Sequence, residues 1–202
     1  MTLLDRSTSR LPKPVRTALD WAVTIAIAAG AVLVFQAEVA KPFRIPTASM
    51  EPTLHCATPS PGCNARLSDR VIANRLAYRF RSPRRGEIVV FRVPQRASTT
   101  CPVAGGGDAF VKRIVGLPGE TITMTNGFVS ANGRRVDETY LRTRTQRGSQ
   151  TGVWHVPAAH YFVVGDNRTM SCDSRTWGSV TRGNLIGPVL VTYWPPTRLA
   201  VH

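Results

Sequence analysis

The sequence predicts a mainly β fold in which a single N-terminal transmembrane helix precedes an all-β domain. Three observations lead there. Residues 17–37 are about 20 mostly apolar residues in a row, the length a helix needs to cross a hydrocarbon layer. Beyond residue 40, short runs of Val, Ile, Phe and Tyr alternate with Gly, Pro, Asn and Asp, which is the pattern of strands and turns. The 202 residues leave room, once the apolar segment is set aside, for one domain with its own core and not for two.

The N-terminal segment reads WAVTIAIAAGAVLVF from Trp21 to Phe35 and contains no charge. Asp20 sits near its start, where a carboxylate reaches the headgroup region, and Trp21 suits the same interface. Arg6, Arg10, Lys13 and Arg16 outweigh Asp5 and Asp20. The positive-inside rule therefore predicts a cytoplasmic tail over 1–16, a helix over 17–37, and residues 38–202 on the outer side of the membrane. A cleavable signal peptide has the same layout, but a cut after Ala40 would put Glu38 at the third position back, and a cut after Ala37 would put Phe35 there. Neither is a small residue, so a retained anchor is expected.

Strands are expected over 70–74, 87–93, 110–116, 120–125, 128–131, 160–164 and 188–194. Asn126-Gly127 and Asn132-Gly133 mark tight hairpins, so 120–137 reads as a meander, with the turn before it made by Pro118. Residues 94–108 and 142–152 are polar and turn-rich and read as surface loops. No internal repeat is visible.

A formal net charge of +14 implies an anionic partner, and a phospholipid surface fits the anchor. The basic residues form no aromatic-spaced stripe and no helix-turn-helix or zinc-finger pattern, so no nucleic acid is expected. Of 26 Lys and Arg only Lys13, Lys41 and Lys112 are lysine, and the first two flank the apolar segment. The four cysteines, Cys56, Cys63, Cys101 and Cys172, are an even number compatible with disulfides outside the cytoplasm.

Three segments carry residues that could do chemistry. In FRIPTASMEPTL, Pro46 and Pro52 stiffen the chain around Thr47, Ala48 and Ser49, as a nucleophile requires. A stiff connector from anchor to domain would look the same. In FVKRIVGLPGE, strand alternation puts Phe110, Lys112 and Ile114 on one face and Val111, Arg113 and Val115 on the other. Lys112 then lies between apolar neighbours, and lost hydration favours its neutral, basic form. Working as a base near neutrality needs a shift of roughly 3 units, or about 4 kcal/mol. Arginine could not serve, since it stays protonated. An edge-strand lysine guarding against aggregation is the plainer alternative. In GDNRTMSCDSR, Asp166, Asn167 and Asp173 are turn formers, Ser171 and Ser174 bring hydroxyls, and Asp173 with Arg175 can pair and fix the loop. His55, His155 and His160 keep a histidine-based triad open. His155 and His160 with Cys172 lack metal-site spacing, so neither a metal nor a cofactor is expected.

Taken in order, the anchor, RIPTASMEPTL, RGEIVVF, FVKRIVGLPGE and GDNRTMSCDSR resemble the type I signal peptidases, membrane-bound serine endopeptidases with a Ser/Lys dyad. The resemblance implies removal of signal peptides from exported preproteins carrying small residues one and three before the cut. It implies Ser49 as nucleophile, Lys112 as general base, Thr47 with the Ser49 N–H as oxyanion hole, and Ser171 as the hydroxyl orienting the lysine. Asp166, Asn167, Asp173 and Arg175 become structural residues beside the site. Phe43, Ile45, Pro46, Met50 and Phe110 resemble residues lining the substrate pockets. The 52 residues between Lys112 and Gly165 suggest a compact member without a large insertion. Cys56 with Cys63, and Cys101 with Cys172, are the expected pairs. A silent membrane-tethered β domain that recruits partners, or a self-cleaving serine/lysine repressor, are the competing readings.

Overall fold

The structure is a computed structural model that describes residues 12–101, 107–141 and 147–202. The chain divides into two compact units, Met1–Ala40 and Lys41–His202. The first holds helix α1, Lys13–Glu38, whose stretch Lys13–Leu33 is long and apolar enough to cross a membrane. At 1.5 Å per residue its 26 residues extend about 39 Å. Thr17 and Thr24 turn their hydroxyls onto the carbonyls of Lys13 and Asp20, four residues back, so neither needs a partner outside the helix.

The second unit is built on two sheets. The larger runs in the order β1 (Ala40–Arg44), β2 (Arg70–Asn74), β11 (Leu185–Trp194), β3 (Ile88–Arg92), β4 (Ala109–Gly116), β9 (His160–Val164) and β10 (Val180–Thr181), with β12 (Ala200–Val201) also on β11. The smaller runs β7 (Arg134–Arg135), β6 (Phe128–Ala131), β5 (Thr121–Thr125), β8 (Gly152–His155). Among the described residues it also holds the short helices α2 (Ala77–Phe80), α3 (Gln95–Thr100) and α4 (Ser174–Trp177).

The seven expected strands all appear, with small changes at their ends. Both Asn-Gly turns have φ above zero at their two residues, 49° and 79° at Asn126 and Gly127 and 49° and 78° at Asn132 and Gly133. That geometry matches the right-handed twist of the strands they join.

Several expectations need correction. The expected loop over 94–108 contains α3, which starts behind Pro94 and closes with Ser98 N–H and Cys101 N–H bonding the carbonyls of Pro94 and Ala97. Its polar sequence hides one fully buried contact, Ala97. The expected loop over 142–152 ends in β8, which pairs along β5, while 142–146 lie outside the described residues. Strand β11 starts at Leu185, three residues before the expected start at Pro188, and passes through Gly187-Pro188. Its first part pairs with β3 and its second with β2, and Gly187 lies so close to the Asn74 carbonyl that a side chain could not fit.

The core falls into three clusters. Ile45, Ala48, Met50, Leu54, Val71, Val90 and Val189 pack beneath the segment carrying Ser49. Val89, Phe91, Ile114, Tyr161, Val163 and Trp177 form the second, with Phe110 against it. Val115, Phe162 and Val164 meet Ile122, Met124 and Val129 of the small sheet in the third. β3 and β4 are therefore buried on both faces where they pair, with Val89 opposite Lys112 and Phe91 opposite Phe110. Lys112 thus shares the face of Phe110 and Ile114, as alternation predicts.

Candidate active site

Ser49 sits in a single 3-10 turn, Ala48–Met50, entered from an extended Thr47. Ala48 and Met50 point into the core and hold the turn down, leaving the Ser49 hydroxyl toward β4. Ser49 is 6 % and Lys112 4 % exposed. Across 63 residues of sequence, Lys112 Nζ donates a hydrogen bond to Ser49 Oγ at 2.6 Å. Thr47 Oγ1 stands 3.3 Å from the same oxygen.

Burial pushes the Lys112 ammonium down from its ordinary 10.5 to about 8, the Asp173 and Asp166 carboxylates opposing the shift and the Arg175 guanidinium adding to it. The Phe110 ring, 5.5 Å from Nζ, is part of that apolar surround. Desolvation outweighing two carboxylates is the physical signature of a lysine that can give up its proton close to neutrality.

The loop after β9 is locked around this pair. Asn167 N–H donates to the Ser49 carbonyl at 3.1 Å. Gly165 lies against that carbonyl and against Ser171 Oγ so closely that any Cβ would collide with both, and only glycine permits the approach. Asp166 is fully buried and takes a fork from Arg113, at 2.8 and 2.6 Å, and the Thr53 hydroxyl at 2.6 Å. One carboxylate so ties β4, the Ser49 segment and the loop. Asp173 accepts Gly165 N–H at 2.9 Å and Arg175 Nε at 2.7 Å, and it caps α4 through Arg175 N–H. Arg175 also reaches the carbonyls of Arg168 and Ser171.

Ser171 departs from expectation in one respect. Its hydroxyl is buried and finds no hydrogen-bond partner among the described residues, Lys112 included. The lysine is turned to Ser49 and the serine packs on the Gly165 backbone. His55, His155 and His160 bond to Glu51, Thr121 and the Ala158 carbonyl, away from Ser49.

Ser49 opens into a cleft of about 760 Å³ between residues 41–47 and 107–112. Phe43, Ile45, Pro46, Met50 and Phe110 all line it, though Ile45 and Met50 are 2 % and 1 % exposed and form its floor rather than its walls. Cys56 is bonded to Cys63 and Cys101 to Cys172, and the second bond also faces the cleft.

Sequence reasoning missed the buried pairs that hold the loop. Arg168, only 1 % exposed, pairs with the buried Glu138 and donates to the Gly165 carbonyl at 3.1 Å. Arg113 was placed on the correct face but without its partner Asp166. The only sequence signal for Arg168 was its place directly after a buried strand and turn, since Glu138 lies 30 residues away.

The family model described as signal peptidase, peptidase S26, matches residues 18–194. A signal peptidase I from Leptolyngbya laminosa is 37 % identical over 188 residues, covering 93 % of this chain and 85 % of that protein. A probable signal peptidase I-2 from Synechocystis is 36 % identical, covering 98 % and 83 % respectively. A signal peptidase I from Mycobacterium tuberculosis is 32 % identical, covering 94 % and 78 %. A solved signal peptidase I from Enterococcus faecalis is matched at a TM-score of 0.44 and 29 % identity, over 54 % of this chain and 97 % of that one.

Proposed function

This chain belongs to the signal peptidase family, peptidase S26, and from that premise we propose that it is a membrane-anchored serine endopeptidase that removes signal peptides from exported preproteins with a Ser49/Lys112 dyad. The observation that carries the reading is the 2.6 Å bond between a buried lysine and a buried serine, with that lysine depressed to about 8.

Neutral Lys112 Nζ takes the Ser49 proton as Oγ attacks the scissile carbonyl carbon. The lysine then gives that proton to the departing amine, leaving an acyl ester on Ser49. Water adds to the ester with its proton passing to Lys112, and the signal-peptide carboxylate is released as Oγ recovers a proton. The Thr47 hydroxyl and the Ser49 N–H receive the oxyanion in this scheme. Such a donor contributes about 100-fold or more to turnover. Ser171 supplies the lysine with a second hydroxyl partner, a role favoured by its having none now.

An extended substrate adds beside residues 44–48 and the strand carrying Lys112, β4, whose 109–112 stretch pairs with β3 on one side while β9 begins its pairing on the other at Arg113. Helix α1 is the anchor, with the N-terminus cytoplasmic and the domain outside, on the side where preproteins emerge. Small residues one and three before the cut fit the shallow space over Ile45 and Met50.

The test is the intact mass of a standard preprotein incubated in detergent with wild type, Ser49→Ala or Lys112→Arg. Wild type should yield the mature mass and both variants none, while their circular dichroism stays native. Processing by Ser49→Ala at the wild-type rate would sink the assignment.

A further inference from the structure

The walls of the Ser49 cleft have two origins. One wall is formed by the end of β1 with residues 45–47 that follow it and by 109–112 of β4, and a substrate chain preceding the cut is placed along them by the reading above, on which this inference rests. The other wall comes from Ala57 and Ser60, within the segment closed by Cys56–Cys63, and from Met170.

Met170 is 48 % exposed, a large apolar side chain left half open, yet it is held. Its N–H donates to the Asn167 carbonyl at 3.2 Å, and Asn167 N–H in turn holds the Ser49 carbonyl. Its thioether fills the space that a Cβ on Gly62 would need, and that same Cβ would come within 2.9 Å of Ala48 Cβ. Gly62, with φ at +74°, is one residue from the disulfide at Cys63. Met170, Gly62 and Ala48 are therefore stacked beside the nucleophile, apart from the two strand edges.

We propose that Met170, seated on Gly62, walls the leaving-group side of the cleft and selects the side chain immediately after the cut, favouring small residues. With the chain before the cut occupying the strand edges up to Ser49, the departing chain must pass this wall. A thioether adapts its shape, so the selection is by volume against an apolar surface and not by hydrogen bonding.

The test uses the full-length protein in detergent and a peptide series that varies either the residue after the cut (Ala, Leu, Phe) or the residue before it (Ala, Ser, Gly). Truncating an apolar wall changes discrimination by about 10-fold or more. Met170→Ala should raise the kcat/KM ratio of the Phe to the Ala peptide after the cut by about that factor, with the ratios before the cut constant. Met170→Val, a smaller truncation, keeps the test usable if the alanine variant is unstable, and should raise the Phe to Ala ratio in the same direction; an unchanged ratio in it overturns the inference. Gly62→Ala, whose Cβ would overlap the thioether and dislodge Met170 from its seat, should change that ratio as well. Unchanged ratios in active Met170→Ala and Gly62→Ala overturn the inference alone, as would a change confined to the residue before the cut. Wild type that cleaves no peptide overturns the peptidase reading and this inference with it.

Discussion

At Lys112, burial and charge pull in opposite directions, and burial wins. In the mechanism proposed above Lys112 must be neutral to accept the Ser49 proton, so kcat/KM should rise with pH and level off above about 8. An acidic limb centred instead near the usual lysine value of about 10.4 would contradict that environment. The same shift has a stability sign. The unfolded lysine holds its proton up to 10.5 and the folded one only to about 8, so between those values the unfolded state binds more protons and stability increases with pH. At neutral pH the buried ammonium costs about 3 kcal/mol. Lys112→Met should therefore abolish cleavage while raising the thermal midpoint at pH 7, measured by calorimetry. Isolation of one lysine in an arginine-rich chain made it legible in sequence. Its carboxylate neighbours were not, because Asp166 and Asp173 come from a loop more than 50 residues away.

Among the elements, the loop from Gly165 to Arg175 bonds both to the Ser49 carbonyl and, through Asp166, to Arg113 of β4, and buried ion pairs hold it. Arg113→Ala leaves the fully buried Asp166 carboxylate uncompensated, a loss of about 3–5 kcal/mol that chemical denaturation should register. Arg113→Lys should recover only part of this, since a lysine cannot reproduce the two-bond fork. The two disulfides should contribute unequally. By chain entropy, the bond spanning 71 residues, Cys101–Cys172, contributes about 4 kcal/mol and the one spanning 7, Cys56–Cys63, about 2. Cys101→Ala/Cys172→Ala should accordingly lower the denaturation midpoint more than the Cys56/Cys63 pair of substitutions. Strands with strong alternation and Asn-Gly turns were readable from sequence. Helix α3 and the first three residues of β11 were not, because a single buried Ala97 and a close approach of Gly187 to Asn74 override composition that otherwise signals a loop.

For the whole molecule, the apolar helix and the +14 charge act together. Full-length protein should sediment with membranes and resist salt extraction, whereas residues 41–202 alone should bind anionic vesicles only weakly and lose that binding between low and physiological salt. Vesicle flotation at two ionic strengths distinguishes these outcomes. Helix, strand order along the chain, hairpins, and the three segments bearing Ser49, Lys112 and Ser171 are local in their physical causes: residue length against a bilayer, alternation, turn chemistry. The sequence by itself therefore determined a membrane-length helix, a β domain and which residues to watch. Tertiary structure alone decided that Lys112 reaches Ser49, that Arg113 and Arg168 are buried clamps, and that Ser171 stands without a partner. Those facts depend on pairings between segments far apart in the chain, where the free energy lies in burial and in mutual satisfaction of charges, and neither is a property of any one segment.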